Sequence, residues 1–322
     1  MLNILINDGI SPSGERALRD AGYNLFLDKV AQDDLKEFMN ENAIDVILVR
    51  SATQVRKDLI DAVPSLKLIG RGGVGMDNID VSYAMEKGLH VINTPAASST
   101  SVAEIVFAHL FALTRNLHDS NRNMPLEGES NFNALKKSYA ASKELKGKTL
   151  GIIGLGRIGS EVARIALGVG MRVIASNSRN EEGTETIAFS FFDGTTVDVK
   201  IEMQPMRELI KNSDMITVHI PAQKNYVIGR PEFDLMKDGA YLVNAARGGV
   251  VDEVALVEAL ESGKVAGAAL DVFENEPKPE IKLLMNPKLS LSPHIGGSTL
   301  EAQDRIGTEL ASQISALLVQ KV

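Results

Sequence analysis

The sequence predicts an α/β protein made of two doubly wound parallel-sheet units. Residues 1–95 alternate short apolar strands with helical patterns, and a second alternation begins at Thr149. That order implies parallel sheets covered by helices. The second alternation opens on Thr149-Leu150-Gly151-Ile152-Ile153-Gly154-Leu155-Gly156-Arg157-Ile158-Gly159, a strand that breaks into glycines and enters a helix. This context turns a weak G-x-G-x-x-G match into a strong one. Gly154 allows the tight turn, Gly156 lets a pyrophosphate approach the backbone, and Gly159 lets the helix pack on the strand. The N–H groups at the helix start, near Arg157 and Ile158, then face the phosphates.

In the first unit, strands are expected at Asn3–Ile6, Asn24–Leu27, Asp45–Val49, Leu66–Ile69 and His90–Ile92. Helical patterns lie around Gly14–Ala21, Asp33–Asn40, Arg56–Ala62 and Asp80–Lys87. Two strand ends carry loops suited to a ligand, Val49-Arg50-Ser51-Ala52-Thr53 and Gly70–Asn78, because parallel sheets bind at the carboxyl ends of their strands. The glycines of the second loop, Gly73 among them, read as close backbone approach to a small substrate. Asn93–Ser99 reads as a connector. Ser101-Val102-Ala103-Glu104 has the spacing of a capping box, opening a helix to about Leu117 that is apolar nearly all round and so buried in a core or against a second subunit. His118–Lys146 reads as polar and irregular.

In the second unit, strands follow at Arg172–Ala175, Met215–His219, Ala240–Val243, Gly267–Leu270 and Leu289–Leu291. Glu185–Phe192 and Thr196–Met203 flank Asp193-Gly194, and the second arm alternates strictly, which predicts a β-hairpin inserted before a helix at Met206–Lys211. The tail from Gly296 reads as a helix with Ile306, Leu310, Ile314 and Leu318 on one face, returning to the first unit.

Bulk composition narrows the partners. The chain has 322 residues, a length suited to two domains, with a net charge of -8 and a pI of about 5.3. That balance argues against nucleic acid or an anionic membrane, so an anionic substrate needs a local cluster of cations. There is no cysteine, which excludes disulfides, thiolate metal sites and a cysteine nucleophile; no metal site is expected. The N-terminal strand has no signal-peptide features and no apolar run reaches membrane-spanning length, so a cytoplasmic location is expected.

Three charged residues stand beside strand ends of the second unit: Arg247 in Asn244–Gly249, Glu276 in Asp271–Pro277 and His294 in Ser292–Thr299. A guanidinium offers a planar fork to a carboxylate. A histidine held by a carboxylate is suited to exchange a proton with a hydroxyl near neutral pH. The other histidines, at 90, 109, 118 and 219, sit in strand or helix patterns and read as structural.

These three segments, with the glycine fingerprint, resemble the D-isomer-specific 2-hydroxyacid dehydrogenase family over essentially the whole chain. Within it, Val49–Thr53, Asn93–Pro95, Ala246–Glu253 and His294–Thr299 with Glu301–Gln303 read as in the D-3-phosphoglycerate dehydrogenases. The resemblance implies a flavodoxin-like substrate domain (1–95 plus 296–322), a Rossmann dinucleotide-binding domain (96–295) and a cleft between them. It also implies a homodimer built largely on the Ser101–Leu117 helix. It assigns Arg247, Glu276 and His294 to catalysis, and Arg50, Ser51, Gly73 and Val74 to the substrate, with Lys136 or Lys137 as further cations for a substrate phosphate. The cofactor set comprises Gly154, Gly156, Arg157, Ile158, Gly159, Asn177, Arg179, His219, Pro221, Ala245, Asp271 (on the nicotinamide amide) and Gly297. The expected reaction is oxidation of 3-phosphoglycerate. The same chemistry on glyoxylate, hydroxypyruvate or D-lactate is the main alternative, and a nicotinamide-sensing corepressor a remote one. Two departures stand out: no tryptophan precedes Glu144–Leu150, and the chain stops at Val322, so the regulatory module of longer relatives is not expected.

A third departure concerns the cofactor. An NAD-preferring unit places an acid about 20 residues past the fingerprint, where it binds the adenosine ribose and repels a 2′-phosphate. Asn177 stands at that position and Arg179 follows, so NAD is expected to work with weak discrimination against NADP.

Overall fold

The computed structural model describes residues 1–178 and 182–318. In chain order its elements begin with β1 (Asn3–Ile6), α1 (Pro12–Asp20), β2 (Asn24–Phe26), α2 (Leu35–Glu41), β3 (Val46–Val49), α3 (Lys57–Ala62), β4 (Leu68–Arg71), α4 (Val81–Glu86) and β5 (His90–Asn93). Next come α5 (Ser99–Thr114), α6 (Leu117–Glu127), α7 (Phe132–Ser138), β6 (Thr149–Ile153), α8 (Arg157–Gly168), β7 (Arg172–Ser176), β8 (Gly183–Ser190) and β9 (Thr196–Met203). The chain continues through α9 (Met206–Asn212), β10 (Met215–Val218), α10 (Arg230–Leu235), β11 (Ala240–Asn244), α11 (Glu253–Glu261), β12 (Val265–Leu270), α12 (Ile281–Leu284) and β13 (Leu289–Leu291), and ends in α13 (Leu300–Leu317). Two units form, one of residues 1–101 with 297 onward and one of 102–296. No helix of the described residues is long and apolar enough to cross a membrane.

The first unit is a parallel sheet in the order β2-β1-β3-β4-β5. Its strands are apolar runs because both faces are covered: Val46, Ile47, Leu48 and Val49 are all buried, feeding one core on each side. Helix α13 belongs to this unit and packs on α1. Ile306, Leu310 and Ile314 are buried against the sheet, each contributing roughly 1.5–3 kcal/mol. The two helices meet at glycines: a methyl group on Gly14 would lie 2.6 Å from the Cα of Gly307. Backbone cannot yield there as a side chain would, so either Gly→Ala change should cost at least about 1–3 kcal/mol.

The second unit has the order β13-β12-β11-β10-β6-β7-β9-β8, parallel except for β8, which runs antiparallel to β9. The expected hairpin is therefore present. Its turn is Phe191–Thr195, closed by Phe191 N–H to Thr195 O at 2.8 Å, with Gly194 at φ +85°.

Two expectations fail. Residues 118–146 are not irregular but carry α6 and α7. Pro125 inside α6 and the lack of a buried residue in either helix erase the periodicity that would betray them. The capping box does not form: α5 begins at Ser99, and the hydroxyl of Ser101 pairs with Thr299 Oγ1 at 2.7 Å. Within the single chain, α5 leaves Glu104, Ala108 and Phe111 as an exposed stripe.

Candidate active site

Six parallel strands of the second unit end along one edge of the sheet, and the candidate residues follow them there. Across β13, β12, β11, β10, β6 and β7 the strand ends lead to His294, to Asp271 and Glu276, to Arg247, to His219, to the Gly154 turn and to Asn177. The chain winds outward in one direction from β6 through β7 and in the other through β10, so the gap between β6 and β10 is the topological switch point where such sheets bind ligands. Gly154 and His219 flank it: a Cβ on Gly154, whose φ is +101°, would lie 2.5 Å from His219 O.

The three fingerprint glycines have different reasons. Gly159 has no room for a side chain against Gly154 O and Ile152, which is the close packing of helix on strand. Gly156 is exposed, and a Cβ there would meet nothing within 4 Å. Internal packing does not require glycine at that position, so the residue fits a pyrophosphate approaching from outside. The first helical bond, Ser160 N–H to Gly156 O at 2.9 Å, leaves the preceding N–H groups of α8, at Arg157 and Ile158, turned toward that space. One further buried polar feature fits a dinucleotide here. His219 bonds Thr217 Oγ1 through Nε2 at 2.9 Å, while its buried Nδ1 has no protein partner among the described residues. Burial pushes this imidazole down to about 3, so it is neutral at pH 7. Ala245 is buried and Pro221 exposed; Arg179 lies outside the described residues.

The catalytic candidates sit on three interlocked loops. Asn244, buried at the end of β11, accepts from Ala246 N–H at 3.1 Å and donates to Arg247 O at 3.0 Å, shaping the turn that presents Arg247. Arg247 itself is half-buried, with Nη1 on Ala246 O at 2.6 Å. Gly248 follows because a side chain there would collide with Phe273 O in the next loop. Within that loop Glu276 Oε1 accepts from Phe273 N–H at 3.0 Å, and Oε2 meets His294 Nδ1 at 2.8 Å. The expected histidine–carboxylate pair is therefore formed, and Nε2 of His294 has no hydrogen-bond partner among the described residues.

Asp271 holds the histidine loop. Its Oδ1 accepts from Ser292 Oγ at 2.6 Å and Ile295 N–H at 2.9 Å, and its Oδ2 from Gly296 N–H at 2.8 Å. His294 between these donors has φ +53°, a conformation costing a non-glycine residue about 1–2 kcal/mol. The Asp271 bonds on either side offset that cost. Three of about four acceptor sites of the carboxylate are thus used internally. His109, expected to be merely structural, extends this network: buried in α5, it meets Ser290 Oγ at 2.8 Å through Nδ1 and Ser292 Oγ at 2.9 Å through Nε2. A polar residue among the apolar positions of α5 was the signal that could have found it.

The first unit has its own switch point, between β1 and β3, and Arg50 is there. Asp8 Oδ2 accepts from Arg50 N–H at 2.7 Å and Thr53 N–H at 3.1 Å. Asn78 Nδ2 ties Arg50 O and Thr53 O to the neighbouring loop at 2.8 and 2.6 Å. Arg50 and exposed Ser51 thus sit on a braced turn. Gly73 has φ +143°, a conformation that strains any other residue, and the Arg71 guanidinium fills the space where a side chain would start. The carbonyl of Val74 accepts from Asn93 Nδ2 at 2.7 Å, and that of Gly297 from Gln303 Nε2 at 3.0 Å. Lys136 and Lys137 are exposed on α7, in the second unit.

Known proteins match this arrangement. Residues 107–296 fit the model of the D-isomer specific 2-hydroxyacid dehydrogenase NAD-binding domain. The chain is 43% identical to hydroxypyruvate reductase of Thermotoga maritima over 288 residues, 88% of this chain and 87% of that protein. It is 40% identical to D-3-phosphoglycerate dehydrogenase of Methanocaldococcus jannaschii over 99% of its own length, but it spans only 58% of that relative. The crystal structure of D-lactate dehydrogenase from Aquifex aeolicus with NAD and lactic acid superposes with a TM-score of 0.74 at 30% identity, covering 98% of this chain and 95% of that one. With more than half of its length matched, on the unit that carries the glycine turn and the histidine loop, the chain belongs to the D-isomer specific 2-hydroxyacid dehydrogenases, enzymes that use a nicotinamide dinucleotide.

Proposed function

We propose that the protein oxidises 3-phosphoglycerate at C2 to 3-phosphohydroxypyruvate, a step of serine biosynthesis. The observation that carries the chemistry is the His294–Glu276 pair, 2.8 Å apart through Nδ1. With that nitrogen occupied, Nε2 takes the hydroxyl proton as the C2–O bond becomes a carbonyl. Glu276 keeps the ring oriented and stabilises the imidazolium that results. Arg247 holds the substrate carboxylate and the emerging carbonyl oxygen in a planar fork. The nicotinamide supplies the acceptor for the hydride that leaves C2. Asp271 and Asn244 hold the two loops in place, and positioning of this kind supplies much of the rate.

The phosphorylated substrate is favoured by Arg50, a cation on a braced loop of a chain with net charge -8, and by the phosphoglycerate dehydrogenase match across 99% of the chain. Lys136 and Lys137 are the further candidate cations. The hydroxypyruvate reductase of similar length supports a second reading, the same proton and hydride chemistry run toward reduction of an unphosphorylated acid. The first reading includes a cytoplasmic enzyme and a homodimer on α5, where Phe111 remains 43% exposed.

A substrate panel decides between them. With 3-phosphoglycerate, D-glycerate, hydroxypyruvate, glyoxylate and D-lactate, kcat/KM should favour the phosphorylated acid by roughly a hundredfold or more, since a site built for a charged group rejects analogues lacking it. Equal or better turnover of D-glycerate and hydroxypyruvate would install the second reading.

A further inference from the structure

The hairpin β8–β9 has a use that its sequence does not advertise. β6 and β7 pair with Ile153 opposite Ser176, and Gly154 N–H donates to Ser176 O at 2.8 Å. Asn177, the next residue, therefore sits directly beside the fingerprint turn, where a dinucleotide-binding unit presents an acid to the adenosine ribose. An amide stands there in place of the acid. The hairpin brings a carboxylate to the same spot. Ala175 on β7 pairs with Met203 on β9, and Met203 with Gly183 on β8. Two residues further along β8, Glu185 Oε1 lies 3.3 Å from Asn177 Nδ2.

We propose that Glu185 is the cofactor-selecting residue of this enzyme: it supplies from the hairpin the carboxylate that Asn177 lacks, accepts a hydrogen bond from the adenosine ribose and repels a 2′-phosphate. The proposal rests on the second unit's binding a nicotinamide dinucleotide. Asn177 occupies one of about four acceptor sites on the carboxylate, so the others remain for ribose hydroxyls, and a bond to a charged acceptor is the stronger kind. Glu202, an acid on β9, is already paired with Arg172 at 2.7 Å and with Gln204 at 2.6 Å. The consequence reverses the expectation from Asn177 alone: NAD should be preferred over NADP.

Binding to the cofactor-free protein tests this without turnover. Titration calorimetry with NADH and NADPH should show wild-type protein binding NADH at least tenfold more tightly. Glu185→Gln should narrow that ratio by roughly tenfold, mainly by weakening NADH, as expected for loss of a charge-assisted bond. Glu185→Lys should reverse the preference. Glu202→Gln, on the same hairpin, should leave the ratio unchanged, and thermal melts should show all variants folded, since both side chains are exposed. An unchanged ratio in Glu185→Gln, or a wild-type protein that binds the two nucleotides equally, would overturn the proposal and leave the Glu185–Asn177 bond as an anchor for the hairpin. A wild-type protein that binds neither nucleotide would overturn the cofactor reading, and the proposal with it.

Discussion

The hydroxyl of Ser292 lies 2.9 Å from Nε2 of His109, and this contact decides where the imidazole carries its proton. Ser292 spends its own hydrogen on Asp271 Oδ1, which as a carboxylate can only accept. His109 must therefore donate from Nε2, and Nδ1 must accept from Ser290. Burial pushes the His109 imidazole below its ordinary value, opposed by the nearby Asp271 charge, so the ring is neutral. Four side chains thus form one directed chain that ends on the carboxylate holding the His294 loop.

Nitrogen-15 NMR at pH 7 should accordingly find His109 neutral with the proton on Nε2. His109→Leu would strip Ser292 of its donor and should lower kcat by roughly three- to thirtyfold, the worth of one or two buried hydrogen bonds. His109→Gln should recover part of that loss, and nucleotide affinity should change little in either variant. A proton found on Nδ1 would break the chain as drawn.

Replacing His294 by Ala should lower turnover by about two to four orders of magnitude, the range for losing a general base, with little change in NADH affinity. Turnover within a few-fold of wild type would remove His294 from the mechanism. Glu276→Gln should cost less than His294→Ala, because the ring remains and only its orienting charge is lost.

Asp271→Ala should destabilise the fold and not only slow the reaction. It leaves Ser292, Ile295 and Gly296 donors without their acceptor and His294 in a left-handed conformation with nothing to hold it. At roughly 1–3 kcal/mol per buried unpaired group, a loss of about 3 kcal/mol or more is expected in urea unfolding. A variant as stable as wild type would show that the loop is held elsewhere.

Acid should weaken the protein through His219. Its folded value is about 3 against 6.5 for the free side chain, so between these the unfolded chain binds a proton that the folded one refuses. The stability is fully present above about pH 6.5 and is lost progressively as pH falls toward 3, by about 2 kcal/mol at pH 5 from this group. His219→Gln should flatten the dependence of the urea midpoint on pH between 7 and 5. An unchanged slope would mean that His219 is not held neutral.

Arg50→Ala should raise KM for 3-phosphoglycerate by roughly ten- to a hundredfold, as loss of a charged hydrogen bond predicts, while sparing an unphosphorylated 2-hydroxy acid. Equal loss on both would place Arg50 away from the phosphate.

Much of this protein is legible in its sequence because parallel sheets write themselves as local patterns. Apolar runs such as Val46–Val49 and Leu150–Ile153 mark strands buried on both faces. The fingerprint glycines declare a turn, and Asp193-Gly194 between two alternating arms declares a hairpin. The residue types at Arg247, Glu276 and His294 mark them as candidates by themselves. The exposed helices α6 and α7 were lost because a helix with no buried face leaves no period to read. Only tertiary structure decided partners. Parallel strands deliver their carboxyl ends to one edge whatever the distance along the chain, so His109 meets Ser292 across 183 residues and no spacing rule foretells it. Glu185 reaches Asn177 through two strand pairings in succession, each with its own register. A short-range pattern can say that a strand or a turn exists; which side chains share a hydrogen bond depends on how the sheet is ordered.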